Sequence, residues 1–227
     1  MSLRTNASLP QKPGKARRPI AGLFRRTAHT AVELCRKREI HPDTISYASI
    51  AAGAAAAVCF WQAGEVPWLL LPAVALSTLR LWFNMLDGMV ALATGQSSSR
   101  GEVLNDLPDR VSDLLIFVGV AHSGLVQPLV AYWAAISALL VAYVGTLGQA
   151  VGGRRQFGGM MSKPWRMALL SAASLAVLAA GKTNLPAIFP AEISILDGAL
   201  ILVILGSLQT LWVRLRALMA ELESTPR

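Results

Sequence analysis

Apolar runs of about 20 residues, the length a helix needs to cross the hydrocarbon core of a bilayer, recur along this chain. Backbone in lipid finds no water to bond, so each crossing segment must satisfy its own N–H and C=O groups. The recurrence therefore predicts helices. Six spans are expected, at about 43–62, 67–93, 103–123, 129–151, 165–181 and 193–213. Pro42, Pro67, Pro128, Pro164 and Pro190 stand at or before the starts of spans, where a helix tolerates proline. The third span is the least regular, because its first half is polar. The composition, 54% hydrophobic and 15% charged over 227 residues, leaves room for one domain and little soluble chain. The expected fold is all-α: a polytopic membrane protein of six transmembrane helices preceded by an amphipathic interfacial helix.

Residues 1–19 hold three prolines and five Lys/Arg and read as a disordered basic tail. From Ile20 the pattern changes. Ile20, Leu23, Phe24, Ala28, Ala31 and Cys35 recur at helical spacing, with Arg25, Arg26, Glu33, Arg36 and Lys37 on other faces. Residues 20–40 are thus expected to form a helix lying on the membrane surface. The six-helix domain follows over 41–215, and a tail over 216–227. Ser49, Gly53 and Ala57 make a small-residue ladder on the first span, suited to close helix packing. Cys35 and Cys59 have neither metal-ligand spacing nor the look of a disulfide pair. No signal-peptide pattern is apparent before the first span.

Charge orients the spans. With a cytoplasmic N-terminus, the inner segments hold the ten Lys/Arg of residues 1–41, then Arg100, Arg154, Arg155, Lys163, Arg166, Arg214, Arg216 and Arg227. The outer loops hold Lys182 alone. This is a strong positive-inside bias, with both termini in the cytoplasm and the protein in the inner (cytoplasmic) membrane. It also accounts for the net charge of +8 without a nucleic-acid partner.

Ionisable residues inside a span are costly and point to function. Here they gather at the cytoplasmic ends of spans two and three, in NMLDGMVALATGQSSSRGEVLNDLPDR, residues 84–110. Asn84 and Asp87 share a helix face, followed by the small Gly88 and Ala91. Gly101, Asn105, Asp109 and Asp113 recur every four residues, with Glu102 and Asp106 beside them. The short connection predicts adjacent antiparallel helices whose acidic faces converge on one pocket open to the cytoplasm. Converging carboxylates repel unless a cation joins them. Mg²⁺ takes oxygen ligands and bridges carboxylates to phosphates, so the cluster fits phosphoryl transfer. Asp113 reads equally well as half of a structural pair with Arg80 or Arg110. The histidines His29, His41 and His122 carry no catalytic pattern.

The stretch resembles the motif of the CDP-alcohol phosphotransferases (CDP-alcohol phosphatidyltransferases), D-x-x-D-G-x-x-A-R, eight or nine residues, then G-x-x-x-D-x-x-x-D. This chain has Asn84-Met-Leu-Asp87-Gly88-Met-Val-Ala91-Leu92, eight residues, then Gly101-Glu-Val-Leu-Asn105-Asp-Leu-Pro-Asp109. HPDTIS at 41–46 is similar to the family's entry into its first span. The resemblance implies an integral membrane enzyme, a homodimer, that moves a phosphatidyl or similar group from a CDP-linked donor, such as CDP-diacylglycerol, to an alcohol acceptor. CMP would leave, and Mg²⁺ or Mn²⁺ would be the cofactor. Carried over, Asp87 and Asp109 are metal ligands, with Asn84, Asn105 and Asp106 completing the set, and Asp109 is the base. Gly88, Ala91 and Gly101 would line the nucleotide site.

Three positions depart from the motif: Asn84 and Asn105 replace aspartates, and Leu92 replaces the arginine. Asn still offers a carbonyl oxygen but no charge, so one metal is easier to sustain than two. Arg100, Arg110, Arg154, Arg155, Lys163 or Arg166 would take over the lost arginine's role toward phosphate or headgroup. The glycine-rich basic segment 153–167 could contact a phosphorylated acceptor; it also fits an ordinary inner loop. The departures keep two other readings open: an inactive relative that binds a CDP-lipid or a partner protein, and a transporter.

Overall fold

A computed structural model describes residues 30–95, 99–180 and 193–224. The basic tail, the start of the amphipathic helix and the Lys182 loop lie outside the described residues. So do the side chains of Arg100 and Glu102. The described chain is helical apart from short connections. Helix α1 spans Pro42–Gln62, and a 3₁₀ turn at Pro67–Leu69 leads into α2, Leu70–Ala93. Then come α3 (Ser99–Ala121), α4 (Pro128–Ala150), α5 (Lys163–Ala180) and α6 (Ile195–Ser224). Each expected span corresponds to one helix, in order. The last is longer than expected: the segment read as a tail from 216 continues α6 to Ser224.

Four helical segments, Pro42–Gln62, Pro67–Ala93, Pro128–Ala150 and Ile195–Ser224, are long and apolar enough to cross a membrane. The protein is an integral membrane protein. Helices α3 and α5 are less apolar because charged residues occupy the middle of α3, from Asp106 to Asp113, and the first turn of α5, at Lys163 and Arg166.

Local chemistry sets the helix starts. His41 caps α1, its Nδ1 accepting the Asp43 N–H at 3.3 Å, and Pro42 takes the first turn, where its missing N–H costs nothing. Before it, residues 30–37 are helical and turn at Glu39. Val32 and Cys35 from this segment are buried against Ile45, Leu86 and Val90, while Glu33, Arg36 and Lys37 face outward. Residues 30–37 thus rest on the ends of α1 and α2.

The helices form a closed ring. α1 packs against both α2 and α3; α3 against α4, α4 against α6, α6 against α5, and α5 back against α2. α2 and α3 are neighbours in sequence but touch only weakly. The expected adjacent pair is thus only weakly in contact, because α1 lies along both helices. Lipid tails are as apolar as leucine, so helices in a membrane associate by close packing rather than by escape from water. The small-residue ladder of α1 supplies that closeness. Ser49 Oγ donates to the Arg80 carbonyl of α2 at 3.1 Å. Ala57 backbone lies against Gly119 of α3 so closely that a Cβ there would fall 2.7 Å from the Ala57 Cα.

The two ends of the ring differ in kind. One half is apolar, built around Phe60, Leu70, Ile116, Phe117, Leu170 and Leu200. The other is tied by charge. Arg80 is wholly buried, with its Nη2 2.6 Å from Asp109 Oδ1 and its Nη1 3.0 Å from Asp113 Oδ1. The second contact is an ion pair without hydrogen-bond alignment. Asp113 Oδ2 lies 3.6 Å from Arg166 Nη2, which adds α5 to the network.

Two variants test these ties. Gly119→Val should cost about 1–3 kcal/mol through overpacking against α1, read by reversible unfolding in mixed micelles. Arg80→Met should cost more, about 3–5 kcal/mol, because it leaves carboxylates buried without their cation. In either case, stability equal to that of the parent chain contradicts the packing described.

Candidate active site

The charged half of the ring holds the residues that the sequence singles out. Asp87 on α2 is buried, 2% exposed. Its Oδ2 accepts the Ser46 hydroxyl of α1 at 2.7 Å, and its Oδ1 accepts the Gly88 N–H at 2.6 Å and the Asn105 amide of α3 at 2.5 Å. Motif positions 87 and 105, on different helices, therefore meet. Asp109 on α3 is 6% exposed. Its Oδ1 takes Arg80 and the ammonium of Lys163, and its Oδ2 lies 2.9 Å from Arg110 Nη1. Asn84 Oδ1 accepts the same Lys163 ammonium at 2.8 Å. Asp106 lies between Arg155, at 2.6 Å, and Arg110, at 3.0 Å.

The acids are thus not equivalent. Asp106, Asp109 and Asp113 each face guanidinium or ammonium groups. The hydrogen-bond partners of Asp87 are neutral. A buried carboxylate without a cation is costly, and a bound cation removes that cost. Among the described residues no three His, Cys, Asp or Glu side chains gather as a ligand set. Asp87 and Asn105 each carry a side-chain oxygen, the hard type of ligand that Mg²⁺ or Mn²⁺ takes. Beside it, a Cβ added to Gly88 would meet nothing within 4 Å. Packing within the chain therefore does not require that glycine.

Next to Asp109 opens a cleft of about 190 Å³, lined by Arg110, Arg155, Lys163, Arg166 and Arg214 among others. The loop after α4 builds one wall. It is pinned by the Gln156 N–H to the Gly145 carbonyl at 3.0 Å and by the Met161 N–H to Thr210 Oγ1 at 2.9 Å. Gly159, at φ 99°, lies against the Thr210 side chain, which leaves no room for a Cβ. This placement delivers Lys163 to the head of α5 and into the cluster.

Of the other candidates, Ala91 and Gly101 are partly buried, on α2 and α3. Leu92 is 76% exposed, so the position of the motif arginine faces away from the cluster. Arg154 is not brought in: its side chain is 85% exposed and lies 3.9 Å from Glu221. Two contributors escaped the sequence reading. Ser46 lies in the HPDTIS segment, whose hydroxyl at one turn past Pro42 was a usable signal. Arg214 is buried, its Nη1 2.6 Å from the Val141 carbonyl and its Nε 3.0 Å from the Gly158 carbonyl. Arg214 stands one residue past the expected sixth span, where it read as an ordinary inner-face cation.

Comparisons with known proteins point the same way. Phosphatidylinositol phosphate synthase of Mycobacteroides abscessus is 30% identical over 147 residues, 59% of this chain and 61% of that protein, so the match spans less than two thirds of its length. The Streptomyces avermitilis enzyme of the same name is 30% identical over 77% of this chain and 70% of its own. Archaetidylinositol phosphate synthase of Aeropyrum pernix is 32% identical over 70% and 77%. Among solved structures, Mycobacterium tuberculosis phosphatidylinositol phosphate synthase with CDP-DAG bound superposes with a TM-score of 0.70 at 20% identity, over 89% of this chain and 98% of that one. The same protein in complex with manganese and citrate gives a TM-score of 0.69. The family profile for CDP-alcohol phosphatidyltransferase matches residues 39–220. With that match over most of its length, the chain is a transferase of the CDP-alcohol phosphatidyltransferase family.

Proposed function

We propose that the protein transfers a phosphatidyl group from a CDP-linked lipid, CDP-diacylglycerol being the first candidate, to a phosphorylated alcohol, with release of CMP. The observation that carries the acceptor class is the basic cleft beside Asp109, where Arg155, Lys163, Arg166 and Arg214 converge. So many cations in a partly closed site select an anion, and guanidinium groups match phosphate oxygens in fork geometry. The names of the relatives support an inositol phosphate as that acceptor. The bound CDP-DAG of the M. tuberculosis enzyme supports the donor.

In this reading the CDP-lipid lies against the open face at Gly88 and Ala91, with Gly101 opposite. The divalent ion would be held by Asp87 and Asn105, and when bound it supplies the charge that offsets the pyrophosphate. Arg80, Arg110 and Lys163 hold the Asp109 carboxylate at the mouth of the cleft. The acceptor phosphate docks on the basic wall and aims its hydroxyl at Asp109. A carboxylate offers about four lone-pair sites, so Asp109 can still receive that hydroxyl proton. The acceptor oxygen bonds to the phosphorus that bears the lipid, the bond from that phosphorus to the CMP oxygen breaks, and CMP leaves with the electron pair. Arg110, Arg155 and Arg166 balance the charge that moves.

The positive-inside count supports six spans with both ends in the cytoplasm, so donor and acceptor meet at the inner leaflet of the cytoplasmic membrane. The amphipathic helix lies along that surface, and the working unit is a homodimer, as the family resemblance implies.

The test is CMP release by purified protein given CDP-diacylglycerol, Mn²⁺ and either inositol phosphate or inositol. Release should require the phosphorylated acceptor. It should stop with chelator and fall by about 10²-fold or more in Asp109→Ala, with Asp87→Ala weakening the metal-dependent binding of the CDP-donor. Equal turnover with unphosphorylated inositol would remove the acceptor assignment, and full activity in Asp109→Ala would remove the base.

A further inference from the structure

We propose that the Lys163 ammonium is a built-in cation of the motif, filling the position between residues 84 and 109, so that the site accepts one divalent ion and not two. The inference rests on the reading above, in which Asp87 and Asn105 hold a metal.

The geometry is specific. Nζ of Lys163 lies 2.8 Å from Asn84 Oδ1 and also bonds Asp109 Oδ1. Residues 84 and 109 are the outer two of the four acidic positions of the motif, on α2 and α3. Lys163 arrives from a third helix, α5, with a side chain only 16% exposed. It therefore joins the two halves of the motif where they need a positive charge.

Charge accounts for the pairing of residue types. Four carboxylates at close range repel one another and call for about the charge of two divalent ions. Here Asn84 keeps an acceptor oxygen, which is all that a lysine N–H needs, and drops the charge that would call for a further cation. Asp109 then faces Lys163, Arg80 and Arg110, three cations on one carboxylate. A divalent ion placed between 84 and 109 would stand against an ammonium and two guanidinium groups. At Asp87 the situation is reversed: its hydrogen bonds come from Ser46, Gly88 and Asn105, all neutral. The asparagine substitutions and Lys163 thus form one arrangement, in which a protein cation stands where a second ion would otherwise sit.

The experiment counts Mn²⁺ bound by the purified full-length chain in detergent, by the loss of the free-ion EPR signal. No substrate and no turnover are needed. The parent chain should bind one ion. Asn84→Asp/Lys163→Met, which restores an acid and removes the ammonium, should bind one more. Two ions on the parent chain would overturn the inference, whatever the variant does, and would leave the transferase reading intact. One ion on both proteins would overturn it as well, provided the variant keeps the thermal transition of a folded chain. If the variant does not fold, Lys163→Met alone is counted against the parent, and an unchanged count in that protein again overturns it. No ion on the parent chain, with one on the variant, would overturn the one-ion site and remove the metal from Asp87. No ion on either would remove both.

Discussion

Arg80 is the residue on which the charged half of this membrane protein depends. Its guanidinium is wholly buried and lies between Asp109 and Asp113, while the carbonyl of the same residue receives the Ser49 hydroxyl of α1. One residue thereby links α1, α2 and α3, of which α2 and α3 hardly touch directly. In lipid an uncompensated charge costs several kcal/mol. Arg80 offsets the charge of Asp109 and Asp113 within the bundle, together with Arg110, Lys163 and Arg166. The price of removing it is paid by the whole cluster.

The weak contact between α2 and α3 is what makes a site possible. Two helices packed face to face would leave no volume between their polar stripes. Here α1 supplies the packing, through Ser49 and Ala57 and the close approach at Gly119. The stripes of α2 and α3 can then meet by side chain alone, at Asn105 and Asp87. The space at Gly88 remains open on one side, and the basic cleft opens at Asp109 on the other. The division of charge follows the same plan. Asp87 keeps neutral partners, while Asp109 is surrounded by basic groups.

Much of this was legible in the sequence because a bilayer restricts the choices. Apolar length marked six helices, prolines marked several of their starts, and every-fourth-residue spacing put Asn105, Asp109 and Asp113 on one stripe. The ladder at Ser49, Gly53 and Ala57 pointed to close packing, but not to which helices it serves; that depends on how the ring closes. Spacing also could not separate Asp87 from Asp109, since their difference lies in residues distant in sequence, Ser46 and Lys163. Lys163 read as one basic residue among several at the inner face, and its placement follows from a loop anchored on Thr210 and Gly145. Arg154 and Arg155 are adjacent in sequence, yet one points to Glu221 and the other to Asp106. Leu92 matched a motif position by number only, and its side chain faces out of the bundle.

The central claim is that the gap between α2 and α3 at Asp87 and Gly88 receives a CDP-linked lipid. Cryo-electron microscopy of the protein with CDP-diacylglycerol and Mn²⁺ tests this most directly. The account predicts nucleotide density against Gly88, an ion at Asp87, and the basic cleft beside Asp109 left free for the acceptor. Nucleotide bound in the Arg155–Arg166 cleft instead, with Asp87 still bonded to Asn105 and no ion beside it, would contradict the account.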